Sequence, residues 1–169
     1  MQIDWKKEGA EAVRRLQAML QYDTTNPPGN ELALANFLAE ELKAEGVDSQ
    51  VLCSADQRGN LMVRLCGDGS ERPVLMMSHL DVVPAEPNMW THPPFGGILD
   101  NGFVWGRGAI DSKLTGAVQV QVLLMCKRLG CHLSATWCWW PLPMKKKVRA
   151  MAWNGWSINT PNGLMPNMG

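Results

Sequence analysis

The stretch R-P-V-L-M-M-S-H-L-D-V-V-P, residues 72–84, decides the fold. Val74, Leu75, Met76 and Met77 follow one another without a polar break. That run is expected of a strand buried on both faces of a mostly parallel sheet, with Pro73–Ser78 as its extent. Open α/β sheets present their ligand groups just beyond the carboxyl ends of such strands. His79 and Asp81 stand there, two residues apart. Two further stretches follow: W-T-H-P-P-F-G-G at 90–97 and W-G-R-G-A-I-D-S-K at 105–113. The second brings a carboxylate, Asp111, after the glycines Gly106 and Gly108, which allow a close backbone approach.

Working back from this stretch, the chain alternates helices and strands, which gives an α/β class. Asp4–Leu20 reads as an amphipathic helix capped by Asp4, with Val13, Leu16, Met19 and Leu20 at helical spacing. Pro27, Pro28 and Gly29 break the chain into a loop at Tyr22–Gly29. A second helix is expected over Asn30–Glu45, with Leu32, Leu34, Phe37, Leu38 and Leu42 inward and Gly46 ending it. Val47–Cys53 reads as a strand, Ser54–Gly59 as a turn and Asn60–Cys66 as a strand with Leu61, Val63 and Leu65 on one face. Working forward, Asn101-Gly102 signals a tight hairpin within Ile98–Trp105. Lys113–Leu129 reads as a third helix, with Leu114, Val118, Val122, Leu123 and Met125 inward. No internal repeat is present.

Composition narrows the function. Sixteen basic and sixteen acidic residues leave zero formal charge. A nucleic-acid binder needs a basic surface to displace counterions, so that class is disfavoured. The run Lys145, Lys146, Lys147 and Arg149 offers at most a weak anionic contact. No window reaches membrane-spanning length, and the first residues carry Asp4, Lys6, Lys7 and Glu8 instead of an apolar leader, so a cytoplasmic protein is expected. The five cysteines, an odd number without C-x-x-C spacing, read as incidental thiols.

The chemistry gathers on three side chains. A neutral histidine such as His79 is a nitrogen ligand suited to zinc or cobalt. Metal-bound histidines usually donate their other ring hydrogen to a carboxylate, a role open to Asp81. Asp111 can act as a carboxylate ligand, and such groups bridge metals about 4 Å apart in two-metal sites. Plainer roles fit the neighbours. Trp90, Pro93, Pro94 and Phe95 read as packing, His92 as a loop histidine, Glu86 as a solvated acid, Asp100 as a turn residue and Arg107 as an ion-pair anchor. Taken alone, an H-x-D pair such as His79 and Asp81 at a strand end is more often a satisfied polar turn than a metal site.

Together, S-H-L-D-V-V-P, W-T-H-P-P-F and G-R-G-A-I-D-S-K, in that order, resemble the zinc-dependent aminoacylase and carboxypeptidase family. That family includes acetylornithine deacetylase, succinyl-diaminopimelate desuccinylase and carnosinase-like dipeptidases. The likeness covers about Ala10 to Leu129 and extends to T-T-N-P-P-G at 24–29. It implies a two-metal hydrolase, with zinc or cobalt, that cleaves an amide in a small carboxylate-bearing substrate, a peptide or an N-acyl amino acid. It implies His79 and Asp111 as metal ligands, Asp81 as the catalytic aspartate that orients the histidine, a cis bond after Asp111, and a homodimer formed through a separate domain. The expected fold is the N-terminal part of a mixed, mostly parallel sheet flanked by helices.

The resemblance also requires an acidic D-E-E-like motif after a later strand, holding the general base and another ligand. Residues 135–169 contain no Asp or Glu. Five of the eight tryptophans fall after Gly130. We therefore expect a partial catalytic domain at 1–130 and an aberrant, poorly ordered tail at 131–169. Trp and Met have single codons, so the underlying DNA is constrained. Read from the third base of each codon, Trp137-Cys138-Trp139-Trp140-Pro141 becomes V-L-V-A, and the continuation A-A-D-E-E-E-G-A-G-H-G is permitted. A frameshift between about Gly130 and Thr136 is the expectation, with the chain itself inactive. The competing expectation is a non-catalytic fragment acting only through binding or aggregation.

Overall fold

The computed structural model describes residues 2–141. Helix α1 (Trp5–Leu20) starts where the sequence places it: the Asp4 carboxylate accepts from the Lys7 backbone N–H at 3.1 Å, a side-chain cap on the first turn. Helix α2 (Glu31–Ala44) ends before Gly46, whose φ of 67° is the left-handed turn that glycine adopts freely. Strands β1 (Ser49–Ala55) and β2 (Arg58–Leu65) pair antiparallel and run further into their turn than expected, leaving only Asp56 and Gln57 between them. Strand β3 (Val74–Ser78) leads into the site. Strands β4 (Ile98–Asp100) and β5 (Phe103–Trp105) form the expected hairpin, with Asn101 and Gly102 both at positive φ. Helix α3 (Lys113–Arg128) and strand β6 (Trp137–Pro141) complete the described chain.

The main sheet has the order β1-β2-β6-β3. It is mixed and flanked by helices, as expected, but it is not mostly parallel. β1–β2 and β2–β6 are antiparallel, and only β3–β6 is parallel. The apolar run that suggested parallel pairing does pair parallel. Its composition says nothing about the strands further along the sheet.

Val63, Trp139 and Met76 lie in register across β2, β6 and β3, so they share one face. That face packs against the three helices in a single core with Leu16, Leu38 and Leu123. The other face carries Leu75 and Met77, 49% and 53% exposed. Among the described residues β3 is therefore a half-exposed edge strand, not one buried on both faces. Helix α3 also turns differently from expectation. Leu123 is buried, but Leu114 and Val118 are exposed, while Lys113, Gly116, Ala117, Val120, Gln121 and Leu124 face inward.

The boundary expected after Gly130 does not divide the described fold. Residues 131–136 lead straight into β6, which fills the centre of the sheet, and Trp139 is fully buried there. A shift in composition is not a structural boundary when the new residues are apolar and suit a strand. Residues 142–169, the rest of that expected tail, lie outside the described residues.

Candidate metal-binding site

Parallel pairing with β6 fixes the direction of β3, so His79 emerges at the sheet's carboxyl end. The Ser112 hydroxyl then clamps it from the second chain segment: Ser112 Oγ accepts from the His79 backbone N–H at 3.0 Å and donates to the His79 carbonyl at 3.3 Å. This contact brings together residues 33 apart in sequence. The Asp111–Ser112 bond is cis. Asp111 Oδ1 lies 3.0 Å from His79 Nε2, and its side chain is 79% exposed.

The opposite ring nitrogen faces inward. His79 Nδ1 lies 2.9 Å from the Asp81 backbone oxygen and 3.5 Å from Asp81 Oδ1. Both are acceptors, so this side of the ring suits an N–H donor. Nε2 faces another acceptor, the Asp111 carboxylate, at 3.0 Å. Two acceptors at that distance require a proton or a cation between them. The three expected site residues lie together, with Asp81 behind His79 and Asp111 in front.

The glycines serve a different purpose from the one expected. A Cβ on Gly108 would meet Val82 Cγ1 at 2.7 Å, and one on Gly106 would press on the Leu20 side chain at 3.0 Å. They let the 106–111 segment pack against the protein's own side chains. Among the neighbours, Arg107 does not meet the expected ion-pair partner among the described residues; its guanidinium lies 4.9 Å from the Trp90 ring, while His92 meets Trp105 edge-on and Asp100 at 3.4 Å.

Three supporting residues lie in the quoted motifs, but the sequence alone assigned them no role. Thr24 Oγ1 donates to the Leu80 carbonyl at 2.7 Å. Asn26 Nδ2 donates to Asp81 Oδ2 at 2.8 Å, out of water. Lys113 is fully buried, and its ammonium donates to the carbonyls of Met19 and Tyr22 at 3.0 and 2.9 Å. It thereby caps the carboxyl end of α1, where cations are favoured. Burial pushes its pKa down to about 8, against the pull of Asp23.

A second acid lies behind Asp81. Glu31 is buried, and burial raises its pKa, with the Asp81 charge adding to the effect. Arg58 Nε lies 2.9 Å from Glu31 Oε2, close enough for ion pairing but outside hydrogen-bond geometry. Glu31, Arg58, Asp81 and Pro141 line a small cavity below the strand ends.

These donors do not complete a zinc shell. A tetrahedral zinc takes about three or four protein ligands, and a two-zinc site more. Among the described residues no group of three His, Cys, Asp or Glu converges on one point. Residues 142–169 contain none of those four residue types, and Asp111 is the last acidic side chain of the 169. The site has one histidine and one carboxylate facing each other, ordered from behind by Asp81.

A strand-end histidine backed by a buried aspartate and met by a second carboxylate defines a class, the metal-dependent α/β hydrolases. Residues 75–139 match the model of peptidase family M20/M25/M40, and the chain belongs to that family of metallopeptidases and aminoacylases. It is 33% identical to a probable succinyl-diaminopimelate desuccinylase of Staphylococcus epidermidis, over 67% of this chain and 27% of that protein. The fold matches human carnosine dipeptidase 1 with a TM-score of 0.71 at 18% identity, over 83% of this chain and 33% of the other. It also matches a Bacillus subtilis dinuclear metal-binding peptidase of the M20 family, with a TM-score of 0.62 at 13% identity, over 89% and 41%. The chain spans 9–27% of the length of the curated relatives it matches. No helix among the described residues is long and apolar enough to cross a membrane.

Proposed function

We propose that this chain carries one side of the active site of a metal-dependent hydrolase that cleaves amides in small carboxylate-bearing substrates, peptides or N-acyl amino acids, and that these 169 residues alone turn over no substrate. One observation carries the reading: His79 held between Asp81 and Asp111 at a strand end, with no group of three His, Cys, Asp or Glu placed to hold a metal among the described residues. Zinc, or cobalt in its place, would supply Lewis-acid polarisation of the scissile carbonyl when bound. His79 and Asp111 would hold it here, and Asp81 keeps the imidazole oriented. Hydrolysis also needs a general base within reach of the attacking water. The acidic motif that the resemblance requires is missing from 135–169.

A frameshift between about Gly130 and Thr136 accounts for that gap. The alternative frame supplies both an apolar strand and the acidic run, and the frame in use still supplies an apolar strand, β6. Retention of β6 is thus compatible with loss of the chemistry that should follow it. A cytoplasmic location and a homodimer of the complete protein belong to the same proposal, the second resting on the resemblance.

The test is hydrolysis of a panel of N-acyl amino acids and dipeptides with added zinc or cobalt, beside sequencing of the gene from Lys127 onward. The expected result is no turnover above buffer and a shifted frame relative to an independent isolate. Turnover comparable to a full-length relative would overturn the claim of inactivity. An intact frame encoding this same tail in an independent isolate would overturn the frameshift.

A further inference from the structure

We propose that Cys126 and Cys131 form a redox-active dithiol at the carboxyl end of α3, a modification site at which low-molecular-weight disulfides convert the two thiols into one internal disulfide. The pair sits at the opposite end of α3 from Ser112 and His79. It does not depend on the hydrolase reading.

The backbone brings the two residues together. Helix α3 ends in a Schellman turn. Gly130 stands at a φ of 57°, the left-handed conformation that glycine adopts freely, and its N–H donates to the Lys127 carbonyl at 3.1 Å. The Cys131 N–H then reaches back to the Cys126 carbonyl at 3.0 Å. Side chains at the two residues joined by that second bond commonly meet across the turn, usually as an apolar contact. Here both places are held by cysteine. A disulfide forms without backbone movement when the two Cα atoms stand within about 7 Å of each other. A turn closed by a direct backbone hydrogen bond between the two residues favours that approach.

The two thiols are not equivalent. Cys131 is exposed and Cys126 half-buried, and both are free. Burial pushes the Cys126 thiol up, and the Cys131 side chain adds to the effect by its charge and a hydrogen bond. Attack on a disulfide needs an accessible thiolate, so Cys131 reacts first. It loses its proton and attacks one sulfur of a small disulfide, RSSR. A mixed disulfide forms on Cys131 and RS− leaves. Cys126 then loses its proton and attacks the Cys131 sulfur. The Cys126–Cys131 bond forms and the second RS− leaves. The two protons released by the protein end on the two RS− groups, so the dithiol is oxidised while RSSR is reduced to two RSH. Excess thiol runs the steps backwards. Cys53 is also exposed, but it faces Gly59 across the β1–β2 pair and stops at the mixed disulfide.

The experiment incubates the full 169-residue chain with oxidised glutathione, then quenches in acid, alkylates the remaining thiols, digests with trypsin and weighs the peptides. Lys127 and Arg128 lie between the two cysteines, so trypsin separates residues 114–127 from 129–145 unless a disulfide joins them. The wild type is expected to give the joined pair, released by reductant, while Cys53 accumulates glutathione. The joined pair should persist in Cys138→Ser, which removes the other cysteine of 129–145, and vanish in Cys131→Ser. In Cys126→Ser, glutathione on Cys131 should rise about tenfold over the wild type, because a neighbouring thiol acts at a high effective concentration. Three results overturn the proposal: a wild type whose Cys126 and Cys131 are both recovered alkylated while Cys53 is modified, a joined pair lost in Cys138→Ser, or a joined pair found only in covalent dimers on a non-reducing gel. The first needs no variant, and none of them bears on turnover, which the hydrolysis assay tests.

Discussion

Strands β3 and β6 lie side by side, parallel and in register, with Ser78 opposite Pro141. One ends in His79, Leu80 and Asp81, and reaches Asp111 and Asn26 through hydrogen bonds. The other ends in Trp140 and Pro141 and is followed in sequence by Leu142, Pro143 and Met144, none of them ionisable. The fold treats the two strands alike, since both line one sheet and contribute to one core. Chemistry treats them differently. A strand needs only apolar side chains at the right period, whereas a metal site needs particular atoms at a few points. The sheet can therefore survive a change of residues that empties one side of the site.

This contrast can be broken at its structural half. If β6 is true scaffold, Trp139→Ala should cost about 3–5 kcal/mol, the range for deleting a large buried aromatic. Trp139 is fully buried between Val63 and Met76, and its Nε1 donates to Ser78 Oγ at 3.2 Å. Urea unfolding of the two proteins checks it. An unchanged midpoint would mean that β6 is not part of the folded protein.

A smaller effect sharpens the contrast at the helices, away from both strand ends. Arg128 donates to Glu11 and Glu45 at 2.6–3.1 Å, joining α1, the end of α2 and α3. Its hydrogen bonds, with help from Arg15, hold the Glu11 carboxyl down at about 2. An acid with a depressed folded pKa adds stability that is fully present above its unfolded value of about 4.5 and is lost as pH falls towards 2. Arg128→Ala should cost about 1 kcal/mol near neutrality and flatten the fall in stability between those pH values. Glu31 works in the opposite sense: its pKa is raised, so protonation favours the folded state as pH falls through its folded value. Thermal unfolding from neutral pH down to about 2 reads both, Glu31 above 4.5 and Glu11 below it, and an acid limb unchanged in Arg128→Ala would refute the assignment to this cluster.

The smallest expected effect concerns the exposed face of β3. Leu75→Lys or Met77→Lys should change stability by no more than about 0.5 kcal/mol, while raising solubility. A loss of several kcal/mol would show that the face is covered.

Much of this was readable in the sequence, and the reasons differ by region. The Asp4 cap, the Asn101-Gly102 turn and the strand-end histidine are local signals, set by residues within a few positions of the feature. The rotation of α3 was not readable. It carries apolar residues on two stripes, and the buried stripe includes Lys113 and Gln121, whose polar ends find α1 carbonyls and the side chains of Arg15 and Glu8. Only the docked partner makes those residues inward-facing. The antiparallel partnership of β2 and β6 was hidden for a similar reason, because strand composition does not encode direction. Asn26 stands within T-T-N-P-P-G, but nothing in that stretch names its partner. Its role depends on a bridge to Val82 that no spacing rule announces.

The central claim is that these residues supply half of a metal site. Equilibrium zinc titration of the chelator-stripped protein against a chromophoric competitor, with the bound metal counted by elemental analysis, tests it most directly. The account predicts less than one tightly held zinc per chain, with the residual weak binding abolished by His79→Gln and reduced by Asp111→Asn. Two tightly held zinc ions per chain would contradict it.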